Sequence, residues 1–198
     1  MNNLDLFFLD FGLSWTQSKL LSFAVLLFVG IVLCLFFRKF KFKKNYLNLL
    51  KSFVVIGLPI SLYFTFNPIY EGDIINLGIK INSTIVLNSE KTLSIVVLPD
   101  CPFCLETIPL VKKLKERNPK IEIEYIIAAK PNEIPHGIAD KIPKSCSFRL
   151  ESDLQKLGQI THGAFPTYLI SENKNIVLLW RSEHFGTKAL DEIESFFK

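Results

Sequence analysis

The apolar positions of this chain fall into two regimes that meet near residue 70. Leu20 to Phe37 runs for eighteen residues without a charge, about 27 Å as a helix at 1.5 Å per residue, which matches a bilayer core. Arg38, Lys39, Lys41, Lys43, Lys44 and Lys51 follow with no acid among them. A second uncharged run extends from Ser52 to Tyr70, interrupted by Gly57 and Pro59, residues that membrane helices tolerate better than soluble ones. The pattern therefore predicts two transmembrane helices, 20–37 and 52–70, joined by a basic loop, 38–51, and preceded by a short N-terminal segment, 1–19.

Beyond Glu71 the apolar runs are short and alternate with polar turns. Residues 72–87 offer short extended pieces at Ile79, Ile81, Ile85 and Leu87, and Asn88-Ser89-Glu90-Lys91 reads as a turn. Leu93 to Leu98 is an uncharged, β-branched run and reads as a buried strand. Leu105, Ile108, Val111 and Leu114 then recur at helical spacing up to Arg117, and Asn118-Pro119 stops that helix. Ile121 to Ala128 reads as a strand with Ile121, Ile123, Tyr125 and Ile127 on one side. Lys130 to Lys144 is polar, with room for a short helix. Ser152 to Ile160 is a further helix with Ser152 as its N-cap, Tyr168–Ser171 and Ile176–Trp180 form a hairpin about Asn173-Lys174-Asn175, and Thr187–Phe197 is a closing amphipathic helix. The order is strand–helix–strand–helix–strand–strand–helix, an α/β domain over 71–198.

Charge divides at the same place. Residues 1–70 carry seven Lys/Arg against two Asp, and residues 71–198 carry sixteen against seventeen acids. The formal +4 belongs to the apolar part, and no basic stripe interleaved with aromatics marks the rest, so no nucleic-acid partner is expected. Asp5 and Asp10 at the start argue against a secretory signal peptide. The positive-inside rule places the 38–51 loop in the cytoplasm, and both the 1–19 segment and the 71–198 domain outside. Trp15, Tyr63 and Tyr70 are candidate interfacial anchors.

Of four cysteines, Cys101 and Cys104 are paired by spacing, in Asp100-Cys101-Pro102-Phe103-Cys104-Leu105. A Cys-x-x-Cys at a strand-to-helix turn has a redox logic. The first thiol lies where backbone N–H groups and the helix dipole stabilise a thiolate, and the second, three residues on, can close a disulfide with it. Cys101 is expected to attack and Cys104 to resolve, with Asp100 opposing the thiolate and the dipole favouring it. Zinc would need two further ligands at suitable spacing; with no second Cys-x-x-Cys and no His-x₃₋₅-His, no metal and no cofactor are expected. Cys34 and Cys146 stand alone, Cys34 as a residue at home in a bilayer helix and Cys146 as an idle or a third redox thiol. Glu106 is a candidate proton acceptor, or a solvated acid that suits the helix dipole. His162 is a candidate for approaching the disulfide, or a surface residue, and Lys112-Lys113-x-Lys115 reads as an exposed helix face.

With the Cys pair, Pro109 five residues beyond Cys104, and Phe165-Pro166-Thr167 opening a strand, residues 72–198 resemble the thioredoxin superfamily, most of all its membrane-tethered TlpA/ResA-like branch. The resemblance implies a thioredoxin-like fold, a central mixed sheet flanked by helices. It implies that Pro109 sits in the active-site helix and that Pro166 is a cis-proline near the disulfide, with Phe165, Phe103 and Pro102 forming the substrate-binding surface. Three positions depart from that pattern: Asp100 stands where a Trp is common, Thr107 where the branch carries Glu, and Ile95 where thioredoxin buries an acid. Cys-Pro-Phe-Cys itself is more similar to glutaredoxin and DsbA-type motifs.

The expected protein is thus a thiol–disulfide oxidoreductase anchored by two spans in a bacterial cytoplasmic (inner) membrane, its domain in the periplasm. It would exchange disulfides with protein substrates, more as reductase than oxidase. One cysteine in the spans provides no dithiol for moving electrons across the bilayer, so a separate membrane redox partner is expected. The alternatives are a thioredoxin-fold binding module with a structural disulfide, and a glutaredoxin-like reductase facing the cytoplasm.

Overall fold

The computed structural model describes residues 3–39, 45–67, 69, 71–86, 91–129, 137–173 and 175–198. Two compact units divide the chain, Met1–Ile69 and Tyr70–Lys198.

The first unit is helical: α1 (Asn3–Asp10), α2 (Trp15–Phe36) and α3 (Asn45–Phe66). Both α2 and α3 are long and apolar enough to cross a membrane. Helix α2 starts five residues before the expected Leu20 because Ser14 and Gln17 form a reciprocal capping box, each side chain accepting the other residue's backbone N–H. Helix α3 is displaced from the expected 52–70. It begins at Asn45, carries Lys51 inside it, and ends at Phe66, where Asn67 turns its side-chain amide back to the Tyr63 carbonyl. The basic loop is correspondingly shorter: Arg38 and Lys39 form a 3₁₀ turn, Lys51 donates to the Phe37 carbonyl at 3.0 Å, and Lys41, Lys43 and Lys44 lie outside the described residues. Gly30 lets the two long helices close up, since a Cβ there would meet the Ile56 carbonyl oxygen at 2.6 Å. The N-terminal segment folds as α1, whose buried Asp5 accepts from the Tyr63 hydroxyl at 3.2 Å. Trp15, expected at an interface, is fully buried, and Tyr70 lies outside the described residues.

The second unit is built on a six-stranded sheet of order β1-β6-β5-β2-β3-β4. The strands are β1 (Ile79–Val86), β2 (Lys91–Val97), β3 (Ile123–Ala128), β4 (Ser147–Glu151), β5 (Thr167–Glu172) and β6 (Asn175–Arg181). Strands β2, β3 and β4 are parallel; β5 and β6 return as an antiparallel hairpin and β1 closes the far edge. The helices are the short α4 (Glu71–Ile74), α5 (Pro102–Arg117), α6 (Leu154–Thr161) and α7 (Thr187–Phe196). The uncharged run of β2 makes it a central strand, buried on both faces from Thr92 to Val97.

Three expectations need correction. Strand β3 is not one-sided: Ile126 and Ala128 are buried as well as Tyr125 and Ile127, because helices cover both faces of a parallel strand. Strand β4 was not expected; it is a short, half-polar edge strand. The N-cap of α6 is Asp153, whose carboxylate accepts from the Lys156 N–H at 2.9 Å, and not Ser152. Ala139–Lys141 is a short 3₁₀ helix within the expected 130–144 stretch, while residues 130–136, 174 and most of the 88–91 turn lie outside the described residues.

One sheet face carries Val96, Ile126, Ala128, Leu169 and Leu179 against Leu157 and Ile160 of α6. The other holds a row that crosses five strands in register: Phe148, Tyr125, Ile95, Tyr168 and Trp180. Tyr168 is hydrogen-bonded to Thr107 of α5. Trp180 donates to Asn76 at 2.8 Å, and Asn76 in turn donates to Glu192 of α7. Asp73 accepts from the Thr187 N–H and so caps α7, whose N-cap Gly186 has no side chain to do so. The C-terminal end of α5 is tied to α7 by the buried Glu194, which accepts from Arg117 at 2.8 Å and from Asn118 at 2.9 Å.

Candidate functional site

Strand β2 ends at Val97, and the chain turns through Leu98-Pro99-Asp100 into α5. Cys101 is the N-cap of that helix, in extended backbone conformation, and Pro102 takes the first helical position, where a missing N–H costs nothing and φ is already set. The Cys101 carbonyl accepts from the N–H groups of Cys104 and Leu105, at 3.1 and 3.2 Å. Its sulfur also accepts from the Cys104 N–H at 3.2 Å. Cys101 and Cys104 are joined as a disulfide across one helical turn, their Cα atoms 5.2 Å apart. Cys101 retains 9% of its surface and Cys104 none, so Cys101 is the less buried of the two. The same backbone donor and the helix N-terminus would hold a Cys101 thiolate on reduction.

The remaining candidate residues converge on a groove of 460 Å³ beside the pair. It is lined by Phe103, Glu106, Thr107 and Leu110 of α5, by Phe165, Pro166 and Tyr168, and by Ser182, Glu183 and Phe185 from the turn after β6. The Phe165–Pro166 peptide bond is cis. Phe103, between the cysteines, is 68% exposed at the mouth. The rings of Tyr168 and Phe185 stack at 3.4 Å and make an apolar wall. Pro102 is exposed at the helix start without lining the groove.

Charge around the pair is placed as Ile95, Thr107 and Asp100 foreshadow. Asp100 and Glu106 are both exposed, and Glu106 opens onto the groove. Ile95 is flanked in its row by two tyrosines, Tyr125 and Tyr168. Thr107 donates to the Cys104 carbonyl at 2.7 Å and bonds Tyr168. Burial pushes the Tyr168 phenol well above the ordinary tyrosine range, with the Thr107 hydrogen bond acting the other way. Burial raises Tyr125 too, the Cys146 and Tyr168 groups beside it add to that, and its hydroxyl is buried without a hydrogen-bond partner.

The other candidates lie elsewhere. Cys146 is half-buried and outside any disulfide, and burial raises its thiol against the lowering effect of Ser145 and Lys115. Cys34 is likewise outside any disulfide. His162 ends α6 in the left-handed conformation and lines a separate cavity with Arg181 and Ile79. Lys115 is not simply an exposed lysine: its ammonium donates to the Pro119 and Ile121 carbonyls beyond the helix end. A larger cleft, of 610 Å³, surrounds Lys112, Lys141 and Lys144 and contains neither the disulfide nor Pro166. Among the described residues no group of three or more His, Cys, Asp or Glu side chains could hold a metal. Sequence reasoning missed Tyr168, Phe185 and Glu183 as groove residues. Tyr168 follows Pro166 by two, the one local hint; the other two arrive through the hairpin's register.

No protein-family model matches the chain, and no curated protein matches it. Among solved structures it is similar to a secreted Mycobacterium tuberculosis disulfide oxidoreductase homologous to E. coli DsbE, at 13% identity and a TM-score of 0.41, covering 54% of this chain and 78% of that one. It is similar to the thioredoxin domain of a Bacteroides vulgatus thiol-disulfide oxidoreductase, at 17% identity and 0.42, covering 55% and 80%. It is also similar to a putative thiol:disulfide interchange protein DsbE from Chlorobium tepidum, at 10% identity and 0.43, covering 54% and 76%. The fold is read from the unit itself. Parallel β2 and β3 around α5, the antiparallel β5–β6 hairpin opened by a cis-proline, and the closing α7 make residues 70–198 a thioredoxin-like domain.

Proposed function

We propose that this chain is a membrane-anchored thiol–disulfide oxidoreductase of the TlpA/ResA-like kind, working on protein disulfides outside the cytoplasm of a bacterium. The observation that carries the reading is the Cys101–Cys104 disulfide on the N-terminus of α5, with Phe103 between the two cysteines lining the same groove as cis-Pro166. In the reducing direction, a Cys101 thiolate attacks one sulfur of a substrate disulfide. The substrate S–S bond breaks, a Cys101–substrate bond forms, and the departing substrate sulfur takes up a proton. Cys104, deprotonated in turn, attacks the Cys101 sulfur, closes the Cys101–Cys104 bond and releases the second substrate thiol. Two electrons and two protons pass to the substrate. In this reading Glu106, which lines the groove, is the candidate acceptor of the proton that Cys104 gives up. Phe165 and Phe103 would flank the bound segment.

The reading assigns α2 and α3 to the membrane with the basic segment that joins them in the cytoplasm, following its positive charge. Neither helix carries a dithiol, so a separate membrane protein supplies the two electrons that reopen Cys101–Cys104. Substitution of Cys101 by Ser tests the chemistry: reduction of a model protein disulfide by the detergent-solubilised full chain falls at least 1,000-fold. Retention of the wild-type rate would exclude the assignment.

A further inference from the structure

The groove beside the disulfide carries charge of one sign. Its walls are apolar, with Phe103, Leu110, Phe165 and Phe185 among them, and its two carboxylates come from different elements, Glu106 from α5 and Glu183 from the turn after β6. Among the described residues no lysine or arginine lines it. Glu183 is 62% exposed, and the basic side chain beside it is its own neighbour His184, 3.8 Å away and charged only when protonated. Asp100, exposed immediately before Cys101, has the same sign.

We infer that this groove selects protein segments in which the reacting cysteine is flanked by an apolar side chain and by a lysine or arginine. The inference rests on the proposed exchange reaction and names its substrate class. An apolar neighbour of the cysteine would cover the stacked Tyr168 and Phe185 rings. A cation next to it would meet Glu106 and Glu183 and can also lie over the exposed Phe103 ring. An acidic flank would bring like charges together in a groove that no lysine or arginine lines among the described residues, which is discrimination by repulsion. Two exposed ion pairs together supply roughly a tenfold preference.

The test uses the reduced full chain in neutral detergent at pH 8. Three short peptides each carry one cysteine disulfide-linked to a thiol reporter, with Phe on one side and Lys, Gln or Glu next to it. The expected order of second-order rate constants is Lys, then Gln, then Glu. The Lys-to-Glu ratio is about tenfold at low salt and contracts in 1 M salt, where the Debye length is about 3 Å. In the Glu106→Gln, Glu183→Gln double variant the ratio collapses towards one. Equal rates for the three peptides in the wild-type chain would overturn the inference while leaving the exchange reaction standing, as would a ratio that survives in the double variant. Failure of every peptide to exchange would remove the reaction, and this inference with it.

Discussion

Tyr125 and Tyr168 flank Ile95 in a single row of the sheet, yet their hydroxyls have opposite fortunes. That of Tyr168 is bonded to Thr107, which itself holds the Cys104 carbonyl. That of Tyr125 is buried with no partner. A buried unpaired hydroxyl costs free energy, whereas a paired one contributes about 1 kcal/mol. Tyr125→Phe should therefore leave stability unchanged or raise it by about 1 kcal/mol, and Tyr168→Phe should lower it by about 1 kcal/mol, read as urea midpoints of the solubilised chain. Equal losses in both would contradict the pairing. Residue identity made part of this site legible in advance. Cys101 and Cys104 stand out by type and spacing; Phe103, Phe165 and Pro166 line the groove, and Pro102 does not. Thr107 and Ile95 announced a departure without saying what replaces the acids, since a tyrosine's place beneath a helix depends on strand register.

Strand β4 shows what an element needs in order to form without an apolar signature. Its Arg149 is held by Glu124 of β3 at 3.3 Å and by Glu151 at 2.9 Å. Burial alone would raise the Glu151 carboxyl, but the hydrogen bonds from Arg149 and the Asp153 N–H, with the Arg149 charge, outweigh it and hold the group below its usual value. A carboxyl depressed on folding stabilises the fold above its unfolded pKa, near 4.5, and that contribution is lost as pH falls through the lower folded value. The stability difference between wild type and Glu151→Gln should thus be largest at neutral pH and close below about pH 4.5. A difference constant from pH 7 to pH 3 would show that the network contributes nothing. The same element explains where element-level reading stopped. β2, α5, the β5–β6 hairpin and α7 carry uninterrupted periodicity and were found with near-correct bounds. β4 stabilises an edge through charge pairs that form only once β3 is beside it. The start of α3 at Asn45 was hidden because Lys51 reads as loop until its ammonium finds the Phe37 carbonyl.

At the scale of the whole molecule, a thioredoxin-like unit follows a unit with two helices that can span a bilayer. Composition made that division legible, because the apolar excess and the positive charge both end near residue 70. The proposed topology predicts that, in intact cells under mild reductant, a membrane-impermeant maleimide labels Cys101; labelling that requires membrane rupture would place the domain in the cytoplasm. The central claim is that the Cys101–Cys104 pair exchanges disulfides with other proteins, and its most direct test is capture. With Cys104→Ser in the full chain, expressed in its membrane, the account predicts protein adducts that disappear on treatment with dithiothreitol and are absent from the Cys101→Ser, Cys104→Ser double variant. A Cys104→Ser chain that forms no such adduct, from a wild-type protein whose Cys101–Cys104 disulfide also resists reduction, would contradict it.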